Sequence, residues 1–233
     1  MLKAILFDFN GVIINDEPIH RELIDEILLR ENLRPVGSEH QELCLGRSDR
    51  ACLESIFFRR GRVVSDEYLT KLVTAKARAY RQRLEQFDTL PIYAGLEELL
   101  LQIKTKELKI GLVTGAVRSE VEFVLDRAGI QQYFSIIVAG DDIKTSKPQP
   151  DGYLLAVERF NRLDFNLQLQ PQNCLAIEDT PAGITAAKRA GMQVVGIANT
   201  YPFHFMQRQS NWAIDYLRDL ELERIEAVFL LKS

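Results

Sequence analysis

Leu2-Lys3-Ala4-Ile5-Leu6-Phe7-Asp8-Phe9-Asn10-Gly11-Val12 opens the chain and decides how the rest of it reads. Leu2 to Phe7 is apolar almost throughout instead of alternating, the pattern of a strand buried on both faces. The run ends abruptly in a carboxylate. That puts Asp8 at the carboxyl end of a central strand, where open α/β sheets place their ligand crevice. Asn10 and Gly11 follow within the same loop.

Working outward, the chain changes character twice. From Pro18 to Leu90 the pattern is helical and holds no convincing strand. Residues 20–29 carry Leu23, Ile24, Ile27 and Leu28 on one helical face, and helices are expected over 43–58 and 68–87, the last with a solvated basic face. Pro91-Ile92-Tyr93-Ala94-Gly95 reads as a turn. Strands and helices then alternate: strands at 108–114, 136–139, 174–178 and 194–198, helices at 118–128, 151–160 and 181–190. This is the signature of βαβ units. The expected fold class is α/β, a Rossmann-like doubly wound parallel sheet over residues 1–14 and 93–233, carrying an all-helical cap over 15–92. An insertion leaving from the Asp8 loop hangs over the crevice, where it acts as a lid.

Composition narrows the function. The 233 residues are 46% hydrophobic and 27% charged, with a net charge of -4. Nothing in that balance suits nucleic acid or an anionic membrane. No apolar run reaches transmembrane length, and a secretory signal pattern is missing, so a cytoplasmic monomer is expected. Cys44, Cys52 and Cys174 are odd in number and scattered, which predicts buried thiols and neither a disulfide framework nor a zinc site.

Four strand-end signals carry the chemistry: Asp8, then Thr114-Gly115, then Lys147 in Thr145-Ser146-Lys147-Pro148, then Glu178-Asp179. In a parallel sheet they share one edge and converge. Three carboxylates there repel unless a cation joins them, and oxygen-only donors suit Mg²⁺. Thr114 offers a hydroxyl to a phosphate oxygen, and Gly115 allows close approach. Lys147 supplies a point charge, and Asp8 is placed to attack phosphorus as an aspartyl nucleophile.

With these residues in view, the chain resembles the haloacid dehalogenase superfamily of phosphohydrolases, in the branch of beta-phosphoglucomutase and sugar-phosphate phosphatases. Phe7-Asp8-Phe9-Asn10-Gly11-Val12 matches its first motif, Thr114 its second, Lys147 its third and Glu178-Asp179 its fourth. The cap begins at Asp16-Glu17-Pro18-Ile19-His20. The resemblance implies a Mg²⁺-dependent phosphotransfer site with Asp8 as nucleophile and metal ligand. It also implies that Asp179, with Glu178 directly or through water, and the backbone carbonyl of Asn10 complete the metal's protein ligands.

The match breaks at Asn10, where the family has an aspartate that moves protons. A carboxamide hydrogen-bonds but does not shuttle protons, and general acid–base catalysis is worth ~10²- to 10⁴-fold. Four origins stand open: an engineered change, a natural one with Asp16 or a water standing in, a binding pseudoenzyme, or deamidation at Asn10-Gly11. In the cap, Arg47 within Gly46-Arg47-Ser48 and His20 are candidate substrate contacts. A phosphonate-cleaving imine would need a cap lysine, Lys71 or Lys76. The sequence leads to the expectation of a phosphatase for a small phosphorylated metabolite. Its alternatives are a phosphosugar mutase and a catalytically weak phosphometabolite-binding protein.

Overall fold

Every residue of Ala4–Phe7 is buried, and in a computed structural model that describes residues 1–231 this segment is the centre of the sheet. Among the described residues the strands are β1 (Ala4–Phe7), β2 (Lys109–Val113), β3 (Ile136–Val138), β4 (Cys174–Glu178), β5 (Gln193–Ile197) and β6 (Trp212–Ile214). They lie in the order β3-β2-β1-β4-β5-β6, all parallel. The direction of winding reverses between β1 and β4, which makes that gap the topological switch point. Phe7 is in register with Ile177, so Asp8 and Glu178 leave neighbouring strands side by side.

Side chains of β1 alternate between two apolar layers. Ile5 and Phe7 enter one, and Ala4 and Leu6 enter the other. Burying one such large apolar side chain contributes roughly 1.5–3 kcal/mol.

The helices are α1 (Glu17–Arg30), α2 (His40–Leu43), α3 (Asp49–Arg59), α4 (Asp66–Glu85), α5 (Leu96–Thr105), α6 (Arg118–Arg127), α7 (Asp151–Leu163), α8 (Pro181–Arg189), α9 (Phe203–Gln209) and α10 (Leu222–Leu231). Apolar side chains of α5, α6 and α10 cover one face of the sheet, and those of α7, α8 and α9 cover the other. Helices α1 to α4 fall between β1 and β2 and hold a separate apolar cluster that includes Ile24, Leu28, Leu53, Ile56, Phe57 and Leu69. The chain enters and leaves this helical block through paired segments. Ile14 bridges Ile92, the Asn15 amide donates to the Pro91 carbonyl at 2.8 Å, and the Tyr93 amide donates to Ile13 at 3.0 Å. No described helix is long and apolar enough to cross a membrane.

The helix expected over 43–58 begins only at Asp49, and of its first six residues just Leu43 is helical. Helix α2 ends at Leu43, and α3 starts afresh behind Ser48, whose hydroxyl accepts the Ala51 amide at 3.3 Å as an N-cap. That break corrects a second expectation. It folds Cys44 back beside Cys52, with Cα atoms 4.6 Å apart, and the two are disulfide-bonded. Only Cys174 keeps the buried free thiol expected of all three. The polar face of α4 is solvated as expected at Lys71, Arg78, Arg81 and Glu85, but Lys76 on that helix is buried. The short edge strand β6 and helices α5, α9 and α10 lie outside the expected elements, although α5 buries Leu96, Leu99, Leu100 and Ile103 at helical spacing.

Candidate active site

Asp8 follows β1 directly and is almost wholly buried. Its Oδ1 accepts the Phe9 amide at 2.7 Å and pairs with Lys147 Nζ at 2.9 Å. Lys147 reaches in from the loop ahead of α7 and also bonds Glu178 Oε1 at 2.7 Å. Burial opposes the charge on this ammonium, but Asp8 and Glu178 outweigh it and hold the pKa above the usual lysine value. Tyr153 of α7 donates its hydroxyl to the same Glu178 oxygen.

Glu178 ends β4 and Asp179 follows it. Carboxylate oxygens of Asp8, Glu178 and Asp179 lie within 4.8 Å of one another. Burial, then the charge of Asp8, pushes both Glu178 and Asp179 well above the usual carboxylate range. Thr200 donates its hydroxyl to Asp179 Oδ2, yet Glu178 Oε2 and Asp179 Oδ1 are buried without a hydrogen-bond partner. Orphaned buried oxygens in a cluster of three mutually repelling carboxylates are what a divalent cation satisfies. The all-oxygen donor set fits a hard ion such as Mg²⁺.

Two glycines make this crowding possible. Gly11 has φ +76°, and a Cβ there would meet Asp179 Oδ2 at 1.8 Å. A Cβ on Gly183 of α8 would lie 1.9 Å from Glu178 Oε2. Helix α8 is capped by Thr180, whose hydroxyl accepts the Gly183 amide at 3.2 Å. Asp179 is therefore not the helix cap and stays available to the cluster.

A cavity between this sheet edge and the helical block is lined by Asp8, Asn10 and Asp179 from below and by Glu17, His20 and Arg47 from above. Gly115 and Ala116 also line it, whereas Thr114 is wholly buried with its Oγ1 accepting the Ala116 amide at 3.0 Å. The Thr114 hydroxyl thus sets the turn that presents its neighbours. Arg47 spends Nη1 on the Leu43 carbonyl at 2.9 Å, and its Nε is buried without a partner. His20 reaches the cavity but is also tied into a buried network with Asn10, Asp16 and Lys76.

Glu17 and His40 escaped the sequence reading as site residues, and Lys76 entered it only as a candidate imine lysine. Glu17 starts α1, and burial, opposed by the charge of His20, pushes its carboxyl up to about 7. His40 sits 3.3 Å from Glu17 Oε1 and is pulled down to about 4 by burial and then by Arg21. Lys76 Nζ pairs with Asp49 at 2.7 Å and Glu120 at 3.4 Å and rests against His20 Nδ1. His20, Asp49 and Glu120 form a second group of potential metal donors, but the ammonium already provides its cation. Lys71, by contrast, is exposed and pairs with Glu67 on its own helix.

These features define a class. Residues 5–197 match the family described as haloacid dehalogenase-like hydrolases, and the chain belongs to that family. Validoxylamine A 7'-phosphate phosphatase of Streptomyces hygroscopicus subsp. limoneus is 30% identical over 86% of this chain and 88% of its own. Beta-phosphoglucomutase of Bacillus subtilis (strain 168) is 30% identical over 86% and 85%. Among solved structures, beta-phosphoglucomutase from Clostridium difficile superposes with a TM-score of 0.84 at 26% identity, covering 100% of this chain and 99% of that one.

Proposed function

We propose that this protein is a Mg²⁺-dependent phosphatase of a small phosphorylated metabolite, a sugar phosphate or related polyol phosphate. The observation that carries the reading is the meeting of Asp8, Lys147, Glu178 and Asp179 at the sheet's switch point. Asp8, Glu178, Asp179 and the Asn10 carbonyl would hold the ion. When bound, it neutralises phosphoryl charge and draws the phosphate toward Asp8.

Asp8 Oδ1 is engaged by the Phe9 amide and Lys147, which leaves Oδ2 as the attacking oxygen. Oδ2 bonds phosphorus as the ester oxygen departs with its electron pair and takes a proton from water. Lys147 holds the nucleophile in place and offsets the charge gathered beside it. The Gly115 amide, in the turn that Thr114 fixes through Ala116, faces the phosphate, and Arg47 contacts the remainder of the substrate. A second water then displaces Asp8. Phosphonate cleavage is disfavoured because a neutral imine-forming lysine is needed. Burial disfavours the Lys76 charge, yet Asp49 and Glu120 hold its pKa above the ordinary value. Mutase action is the second reading, favoured by the 30% identity to a beta-phosphoglucomutase. It asks position 10 to move protons in both directions, which an amide does not do.

The test is phosphate release from a panel of sugar phosphates with Mg²⁺, using wild-type protein and D8N. The proposal expects release that D8N abolishes. Isomerisation of beta-glucose 1-phosphate without free phosphate would overturn it in favour of a mutase. Wild-type turnover no higher than that of D8N would leave a binding protein.

A further inference from the structure

Asn10 is fixed by one side of its amide. Nδ2 lies 2.9 and 3.1 Å from the two carboxylate oxygens of Asp16. An ionised carboxylate only accepts, so the amide must present its nitrogen there, and that contact assigns its orientation. Asp16 is wholly buried and also receives the Tyr80 hydroxyl and His20 Nε2, the latter at 3.2 Å. His20 Nε2 also lies 3.0 Å from Asn10 Nδ2, so the imidazole closes the same buried cluster from its other side, with Lys76 Nζ against Nδ1. Donors from Asn10, His20 and Tyr80 converge on the two Asp16 oxygens, so Asp16 acts as the acceptor of the cluster.

Asp16 therefore does not replace the missing acid. Its oxygens are committed to donors, and it is absent from the cavity lining, whereas Asn10 lines the cavity beside Asp8. The planar amide diverges from one carbon, so with Nδ2 held by Asp16 the oxygen Oδ1 is turned away from it. A hydrogen-bond acceptor next to a phosphorylated aspartate can orient a water without removing its proton, as the glutamine of small GTPases does.

Building on the phosphatase reading, we propose that Asp16 is a positioning residue. It holds Asn10 with Oδ1 toward the cavity to orient the water that attacks the phosphoryl group on Asp8. The water oxygen bonds phosphorus as the Asp8 oxygen–phosphorus bond breaks, and that electron pair returns to the Asp8 carboxylate. Both water protons leave on the released phosphate, one on the attacking oxygen and one transferred to a phosphoryl oxygen. No protein base is consumed. Positions 10 and 16 thus form one unit, because the acceptor at 16 requires a donor at 10.

The experiment compares wild type, D16N, N10D and N10D/D16N in steady-state phosphate release and in urea unfolding. Loss of the fixed amide in D16N lowers kcat on the order of 10²-fold with little change in KM. N10D sets two anions in contact. It lowers the unfolding midpoint and gains no turnover, whereas N10D/D16N recovers the midpoint and exceeds wild-type kcat by at least ~10²-fold through restored acid–base catalysis. An N10D protein as stable as wild type and faster would overturn the proposal, as would D16N with unchanged kcat. Turnover that D8N does not remove strikes the phosphatase reading instead. The unfolding arm then decides the pairing alone: a lowered N10D midpoint restored in the double variant supports it, and an unchanged one ends it.

Discussion

At Gly183 a missing side chain decides whether a carboxylate can enter the site. A methyl group there would collide with the Glu178 carboxyl, so that side chain or the first turn of α8 must move. We expect G183A to fold but to bind Mg²⁺ more weakly by roughly 10- to 100-fold, the usual scale for disturbing the groups that aim a ligand. Calorimetric titration with Mg²⁺ measures it, and an affinity equal to wild type would show that Glu178 does not need this approach. Residues of this kind separate what the sequence displays from what it hides. Asp8, Glu178 and Asp179 are legible because a strand buried on both faces has little reason to end in a carboxylate unless that group meets a ligand. Asp16 and His20 share the start of α1 at i, i+4 spacing, but Tyr80 comes from α4, and no spacing rule brings the three to Asn10. The orientation of an amide is settled by its partner, which one sequence does not name.

Helix α4 shows the same limit at the scale of an element. Its pattern reads as a long basic helix with a wet face, but Lys76 points inward to Asp49 of α3 and Glu120 of α6. Glu120 is itself wholly buried, and its Oε2 lacks a hydrogen-bond partner. The lysine therefore ties the helical block to the sheet-covering helix beneath it. Arg127 adds to this seam by donating to the Leu84 and Phe87 carbonyls at the end of α4. Replacing Lys76 with Met leaves two carboxylates unpaired, one of them wholly enclosed. The expected cost is about 3–5 kcal/mol, the scale for breaking a buried pair from one side. Urea unfolding of K76M reads it, and a loss below ~1 kcal/mol would place Lys76 among ordinary surface cations. Break points were also poorly legible here. The turn ahead of Ser48 splits one apolar pattern into α2 and α3, because an N-cap can interrupt a periodicity without erasing it.

Across the whole molecule, the sheet concentrates unfavourable charge at its switch point, and the fold keeps it there. Alternation of strands and helices after residue 108 was enough to read the parallel sheet, since each βαβ unit is a local pattern. The energetic consequence is not local. Glu178 and Asp179 have folded-state pKa values raised above those of free carboxyls by burial and by Asp8. Over the range between the ordinary carboxylate pKa and those raised values, the native state binds more protons than the unfolded chain. Stability must then fall as pH rises through that window. Asp16, held low, makes its contribution in the opposite sense and loses it only at more acidic pH.

The most direct measurement of the central claim is the thermal unfolding midpoint from roughly pH 5 to pH 9, with and without Mg²⁺, for wild type and D179N. Without the ion, the wild-type midpoint should drop with rising pH, and Mg²⁺ should restore it most at the alkaline end. Glu17, also raised by burial, leaves a residual slope that the ion does not remove. D179N should show a shallower drop and little response to Mg²⁺. A wild-type midpoint indifferent to both pH and Mg²⁺, or an equal Mg²⁺ shift in D179N, would contradict a cation site built by Asp8, Glu178 and Asp179.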